Sequence, residues 1–401
     1  MVFGQAQQTY RSLWSANRGW ILLMVSVGWF LSMGVRLIYP VVLPQLVGEF
    51  EITYSTAGLS LGLLWVAYAA VNTPGGLVAD YVGERIMLAG SMFLSAIGLV
   101  AVVNSQTFTH FLISTVLLGV ATGLFGTTGT TVLTDIYSQH DTTAISISQI
   151  ASSIGSIVIP VIAGLLAVGF GWRIGLIYTA PFFAVAGIGL WLTLPSRTSP
   201  GVANDGRGLG GVFDDIRQTF SNRTLLLVVG GMTAVGFVYQ GITGFLPMYL
   251  IEMKNFSQQQ ATLFFGLLFC SMILGKIVSG PLARRFGNRP TLVGYSLISI
   301  PGFIALPLFD NTVLIIISVW FGGLILGYTP VATTYAMELI PAGIQGSVFG
   351  VIRTVFLGVG ALAPPAVGAL ADFDMLDVAF FSFFVIALFA MVFSMALPAD
   401  S

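Results

Sequence analysis

Twelve runs of about twenty mostly apolar residues divide this chain, and no other feature limits its fold as tightly. They cover 20–44, 57–79, 85–104, 109–134, 143–168, 173–194, 225–250, 260–281, 290–309, 312–336, 346–370 and 376–397. A run of about 20 apolar residues is the length an α-helix needs to cross a bilayer. Helices and closed barrels are the structures that satisfy every backbone polar group in lipid. A barrel would show short alternating segments, whereas these runs are continuous. Charge supports the same reading: 8% of the residues are Asp, Glu, Lys or Arg, against roughly 25% in soluble domains. The expected fold class is therefore all-α integral membrane, with twelve transmembrane helices.

The extended polar stretch, Pro195 to Arg223, falls between the sixth and seventh runs. It divides the chain into an N-terminal six-helix bundle (1–194), a linker (195–223) and a C-terminal six-helix bundle (224–401). Arg11 and Arg18 precede the first run as they would in a signal peptide. That run is longer than an h-region of about 7–15 residues and is read as a retained first helix. With the N-terminus inside, Arg11, Arg18, Arg85, Arg197, Arg207, Arg217, Arg223, Arg284, Arg285 and Arg289 fall on the cytoplasmic side, and only Arg173 and Lys254 fall outside. The positive-inside rule thus places both termini in the cytoplasm, with a plasma membrane as the expected location.

The halves echo one another. Gly76-Leu-Val-Ala-Asp80 returns as Gly280-Pro-Leu-Ala-Arg284, Leu43-Pro44 as Leu246-Pro247, and Gly155 with Pro160 as Gly360 with Pro365, all at offsets of 203–205 residues. Three echoes at one offset indicate a parallel, pseudo-symmetric six-helix repeat. Such repeats place a substrate site at mid-membrane, reached alternately from each side.

None of the 16 acidic residues lies in the middle of a run, and both histidines, His110 and His140, sit at run ends. Three basic residues do lie inside: Arg36, Lys276 and Arg353. A central charge costs about 2.5–3.5 kcal/mol on insertion scales and faces a cavity or a partner. An anionic ligand is the simplest compensation. Arg36, about 24 Å along the first helix at 1.5 Å per residue, has Gly34 and Pro40 beside it; it reads as a cavity residue or as a side chain snorkelling outward. Arg353 is too deep to snorkel without strain. Lys276 has three readings: a cavity residue, a stem reaching the headgroups, or a partner of Glu338.

The loop Gly76-Leu-Val-Ala-Asp80-Tyr-Val-Gly83-Glu-Arg85 resembles the Gly-x-x-x-Asp-x-x-Gly-x-Arg signature of the major facilitator superfamily, and the likeness extends over essentially the whole chain. The resemblance implies a conformational latch formed by Gly76, Asp80, Gly83 and Arg85, in which Asp80 sits at a neighbouring helix N-terminus and pairs with Arg85. The second copy supplies Gly280, Arg284 and Arg289, with Arg284 where the family usually has Asp, so that latch is expected to be weaker. By the repeat, Arg36 matches Tyr239, Lys276 matches Asn72 and Arg353 matches Ser148. These positions fall in segments that line or flank the cavity of that fold. The expected substrate-binding set is Arg36, Arg353, Lys276, Tyr39, Asn72, Gln149, Tyr239, Gln240 and Tyr328, with Trp65, Tyr68 and Tyr335 nearby; helix packing is the simpler account of each aromatic taken singly.

Cations in segments 1, 8 and 11 are similar to the pattern of oxalate:formate antiporters and monocarboxylate porters. Here Lys276 stands where those families often carry Arg, and Met272 stands where the monocarboxylate porters carry Asp. The resemblance implies alternating-access transport of a small mono- or dicarboxylate, with a counter-anion or a proton as coupling partner. A carrier of neutral or cationic drug-like compounds, and one for inorganic anions such as nitrate or phosphate, remain alternatives. A receptor on the same fold is also open. An intramembrane enzyme would need a nucleophile with a base or a metal site at depth, and the runs offer none. No cofactor, metal or nucleic acid is expected, and a monomer in the lipid bilayer is. Cys270, alone in an apolar run, reads as a small core residue.

Overall fold

The computed structural model describes residues 18–138, 140–198, 219–341 and 345–398; the side chains of Thr73, Leu77, Asp80, Gly346 and Ser347 are outside the described set. Most of the polar stretch 195–223 is outside it too. Among the described residues the regular structure is all helical, and twelve helices are long and apolar enough to span a membrane. They are α1 (Arg18–Phe50), α2 (Tyr54–Val82), α3 (Glu84–Val103), α4 (Phe108–Ile136), α5 (Asp141–Phe170), α6 (Trp172–Thr193), α7 (Arg223–Glu252), α8 (Gln258–Phe286), α9 (Asn288–Leu308), α10 (Thr312–Glu338), α11 (Gln345–Gly360 and Ala363–Ala371) and α12 (Leu376–Met395).

Local chemistry sets where these helices begin and break. Thr107, Asn222 and Asn311 cap α4, α7 and α10 by accepting first-turn N–H groups, and Ser257 with Gln260 forms a capping box at α8. Helix α1 breaks at Leu37, between Arg18–Arg36 and Ile38–Phe50. Pro40 has no N–H to offer the Arg36 carbonyl four residues back, and the Leu37 N–H turns to Gly34 O at 3.0 Å. In α11, Pro364 and Pro365 withhold the same bond from Gly360 and Ala361, where that helix is interrupted.

Backbone geometry repeats the sequence echo. Among the described residues six have φ in the left-handed region: Glu51, Gly83, Gly171, Asn255, Gly287 and Asp374. They form three pairs, 51 with 255, 83 with 287 and 171 with 374, at offsets of 203–204 residues. Each pair starts equivalent helices: α2 and α8, α3 and α9, α6 and α12. A left-handed residue is costly outside glycine, so its recurrence at three matched junctions marks a shared six-helix plan.

Contacts group the chain into two compact units, residues 1–45 with 63–203 and residues 46–62 with 204–401. In unit 1, α1 runs along α5, where Ser26 Oγ and Ser148 Oγ share a buried 3.0 Å hydrogen bond. In unit 2, Tyr249 of α7 stacks on Phe380 of α12 at 4.0 Å and donates to Asp377 Oδ1 at 2.6 Å. Lys254 Nζ pairs with Asp310 at 2.8 Å and donates to Pro307 O at 2.9 Å.

The hairpin 46–62 packs on α11 within unit 2. A Cβ on Gly58 would stand 2.4 Å from Pro364 O, and one on Gly62 would stand 2.6 Å from Ala361 O. Only glycine admits backbones this close, as is common where helices associate in lipid. Above this contact the Asp372 carboxylate accepts the Tyr54 N–H at 2.6 Å and the Ser55 N–H at 3.1 Å. A carboxylate at the C-terminal end of α11 thereby caps the N-terminal end of α2, where the helix dipole favours negative charge.

Candidate functional site: a buried arginine on an aromatic pair

Arg36 occupies the last position of the first segment of α1, and it does not snorkel: it is 1% exposed. Its guanidinium lies 3.7 Å from the centroid of Tyr68 and 4.9 Å from that of Trp65, three residues apart on α2. Those two rings meet edge to face, 5.9 Å apart. Nη2 of Arg36 also donates to Met33 Sδ at 3.2 Å. A desolvated cation over an aromatic face is worth about 2 kcal/mol, so the pair holds the charge in place. Stacking uses the faces of the guanidinium, while bidentate recognition of a carboxylate uses its edge. The two roles are compatible on one side chain.

One turn beyond Tyr68, Asn72 is 7% exposed and donates from Nδ2 to Tyr68 O at 2.6 Å. Its Oδ1 makes no hydrogen bond among the described residues. Space for it comes from α4: a Cβ on Gly126 would lie 2.5 Å from Asn72 Oδ1, and one on Gly123 would lie 2.6 Å from Tyr68 O. The glycine-rich α4 is therefore the seat on which α2 carries both Tyr68 and Asn72. Thr127 of α4 fastens it by donating to Asn72 O at 2.8 Å.

The remaining expected residues divide by role. Tyr39 is fully buried, shares a 3.1 Å hydrogen bond with Thr115 and packs on Phe111. Tyr328 is likewise buried, and its hydroxyl meets Ser394 Oγ at 3.0 Å. Each hydroxyl is thus engaged within its own unit. Gln240 is 1% exposed and donates to Leu357 O at 3.3 Å, joining α7 to α11, while its Oε1 has no partner among the described residues. Tyr239 is buried, Arg353 half-buried, and Gln149 and Lys276 exposed. Glu338 lines a cavity of about 370 Å³ with Ser279, Gly280, Arg284, Asn288 and Thr334. Cys270 corrects the expectation of burial: it is exposed on α8. In unit 1 the structure thus sets Arg36 on Tyr68 and Trp65, with Asn72 one turn along α2 from Tyr68. In unit 2 it joins Gln240 to α11.

The described residues of the signature loop tie it to the end of α6. Arg85 Nε donates to Leu194 O at 2.7 Å, capping the end of α6, and lies 5.8 Å from the Trp191 ring. Arg197 returns the tie by donating to Tyr81 O at 2.6 Å. Glu84, 2% exposed, accepts the Thr198 N–H at 3.0 Å. Gly83 combines φ 92° with a Ser196 O that would stand 2.5 Å from any Cβ. Gly76 sits on α2 facing Thr127, and the Asp80 side chain lies outside the described residues. Sequence reasoning did not single out Glu84 or Arg197 as loop ties; an acid adjoining the signature Arg was the available signal. Gly280 and Arg284 line the cavity just described, and Arg289 follows at the start of α9.

Comparison with known proteins places residues 24–364 in a match to the family described as Major Facilitator Superfamily. The chain is 26% identical over 337 residues to the cis,cis-muconate transport protein of Acinetobacter baylyi, covering 81% of this chain and 80% of that one. It is 22% identical to the uncharacterized MFS-type transporter YfnC of Bacillus subtilis, covering 88% and 86%. It is 21% identical to the fosmidomycin resistance protein of Escherichia coli, covering 94% and 92%. Among solved structures, a bacterial homologue of the human lysosomal transporter Spinster, inward-facing and unoccupied, superposes with a TM-score of 0.82 at 16% identity, covering 96% and 98%. The nucleoside transporter NupG gives 0.79 at 15% identity, covering 94% and 98%. At these identities the structural likeness speaks for the fold alone.

Proposed function

We propose that this chain, which belongs to the Major Facilitator Superfamily and is a multi-pass membrane transporter, carries a small organic anion, a mono- or dicarboxylate, by alternating access. The observation that carries the reading is Arg36, a permanently charged group at mid-length of a spanning helix, held on Tyr68 and Trp65. A cation at that depth favours an arriving anion, and its fork geometry suits a carboxylate. The muconate relative is consistent with this class; drug-resistance relatives stand beside it, and the fixed buried cation sets the anion ahead of a cationic cargo.

Arg353 and Lys276 are proposed to complete the charge neutralisation from the second half, and Gln149, Tyr239 and Gln240 to contribute polar contacts. Asn72 Oδ1, an acceptor with an open valence, suits a cargo that also carries a donor, such as a hydroxyl or the proton of a half-ionised dicarboxylate. Coupling by a counter-anion or by a proton carried on the substrate follows from the same chemistry. We place the protein as a monomer in the plasma membrane with both termini cytoplasmic, its six-helix bundles 1–194 and 224–401 joined by the linker 195–223.

Uptake into proteoliposomes tests this. Radiolabelled cis,cis-muconate and a panel of C2–C6 carboxylates are presented to the protein and to Arg36→Gln and Arg353→Gln. Saturable uptake of one carboxylate class, lost in Arg36→Gln while the variant still elutes as a folded protein, is the expected result. Saturable uptake only of neutral or cationic compounds, unaffected by Arg36→Gln, would overturn the proposal.

A further inference from the structure

The ends of α8 and α9 that meet at Gly287 form a second feature, apart from Arg36. Leu282 and Phe286 of α8, with Pro290, Gly294, Tyr295 and Ile298 of α9, line an apolar groove of about 400 Å³. Phe286 is 55% exposed, so the groove opens outward. The Tyr295 hydroxyl is already engaged, donating to Gly275 O at 2.7 Å, which leaves the ring as an apolar wall. Beyond the Gly294 Cα nothing lies within 4 Å of a built Cβ, so the groove is open at its centre.

A basic side chain lies against its lining. The Arg285 guanidinium lies 5.2 Å from the centroid of the lining Phe286, Arg289 precedes the lining Pro290 in the chain, and Arg284 turns to the neighbouring cavity that it shares with Glu338. Between Glu252 and Asp310 the sequence contains no acidic residue at all. A greasy slot at the end of two spanning helices with Arg285 against its lining Phe286 matches one chemistry: an acyl chain in the slot and a phosphate at the guanidinium. Basic pockets between spanning helices are the general pattern for anionic headgroups.

We infer that this groove is a site for an anionic phospholipid, its acyl chain lying along Phe286, Gly294 and Ile298 and its phosphate beside Arg285. If the proposed orientation holds, the lipid comes from the cytoplasmic leaflet. The site does not depend on the cargo of the transporter.

Native mass spectrometry of the detergent-purified protein tests it, with equimolar phosphatidylglycerol and phosphatidylcholine added. The wild type should retain phosphatidylglycerol preferentially. Arg285→Gln should lower that preference about fivefold, the scale of one surface arginine facing an anionic lipid. Gly294→Trp, which fills the groove without touching a charge, should remove the retained phosphatidylglycerol. Both variants are compared by elution profile, and either alone decides if the other fails to fold. Equal retention of the two lipids by the wild type would overturn the inference. So would a preference unchanged in Gly294→Trp, since the groove would then not be where the lipid sits.

Discussion

Replacing Asp372 with alanine removes the acceptor of two backbone N–H groups, those of Tyr54 and Ser55, at the start of α2. Loss of an N-terminal helix cap costs about 0.5–2 kcal/mol, typically about 1. Asp372 is exposed, so the charge contributes at the lower end of its range, a few tenths of a kcal/mol. The working value for Asp372→Ala is thus about 1 kcal/mol, which corresponds to about a fivefold change in an opening equilibrium. Asp372→Asn keeps one of the two acceptor oxygens, and asparagine caps nearly as well as aspartate through a single oxygen, so it should lose about half of that. The readout is amide hydrogen exchange of Tyr54 and Ser55 in detergent or nanodiscs, where exchange reports the local opening free energy. About fivefold faster exchange in Asp372→Ala, confined to the first turn of α2, is expected, with Asp372→Asn intermediate. Unchanged exchange in Asp372→Ala would refute the cap, and equal damage from Asn and Ala would refute the ranking of its neutral and charged parts.

Two further outcomes test the packing. Gly123→Ala pushes a methyl against the carbonyl oxygen of Tyr68, 2.6 Å from where the Cβ must sit; because that obstacle is backbone, overpacking should cost about 1–3 kcal/mol, visible as a lower melting temperature. Lys254→Met should destabilise more than Asp310→Asn, because Asp310 is exposed and its pairing is worth under about 1 kcal/mol, whereas Lys254 also holds the Pro307 carbonyl; equal melting temperatures for the two variants would refute that division.

The helices were legible because membrane insertion writes itself into composition: each of the twelve runs found its helix, with ends shifted by a few residues. The shifts have causes. Tyr54-Ser-Thr reads as loop, yet Asp372 caps it into the first turn of α2 from 318 residues away, a partnership that no local pattern reveals. Pro44 reads as a stop, but α1 continues to Phe50. The site was half legible. Charge in an apolar run singled out Arg36, and the repeat singled out Asn72. The seating of Tyr68 and Asn72 depended on where α4 puts its glycines. The partners of the Tyr39 and Tyr328 hydroxyls, Thr115 and Ser394, were not legible because they are set by the packing of separate helices.

The hairpin 46–62 has a consequence for cutting the chain in two. It groups with unit 2 although the residues on both sides of it group with unit 1. Two polypeptides severed within 195–223 would therefore part company with this arm on the N-terminal piece and its seat, Ala361, Pro364, Pro365 and Gly368, on the C-terminal piece. The C-terminal fragment made alone carries a bare backbone seam where Gly58 and Gly62 belong, while a co-expressed pair has a ready-made clasp. The same clasp permits one copy's arm to be lent to another's seat, the exchange by which proteins swap elements into dimers.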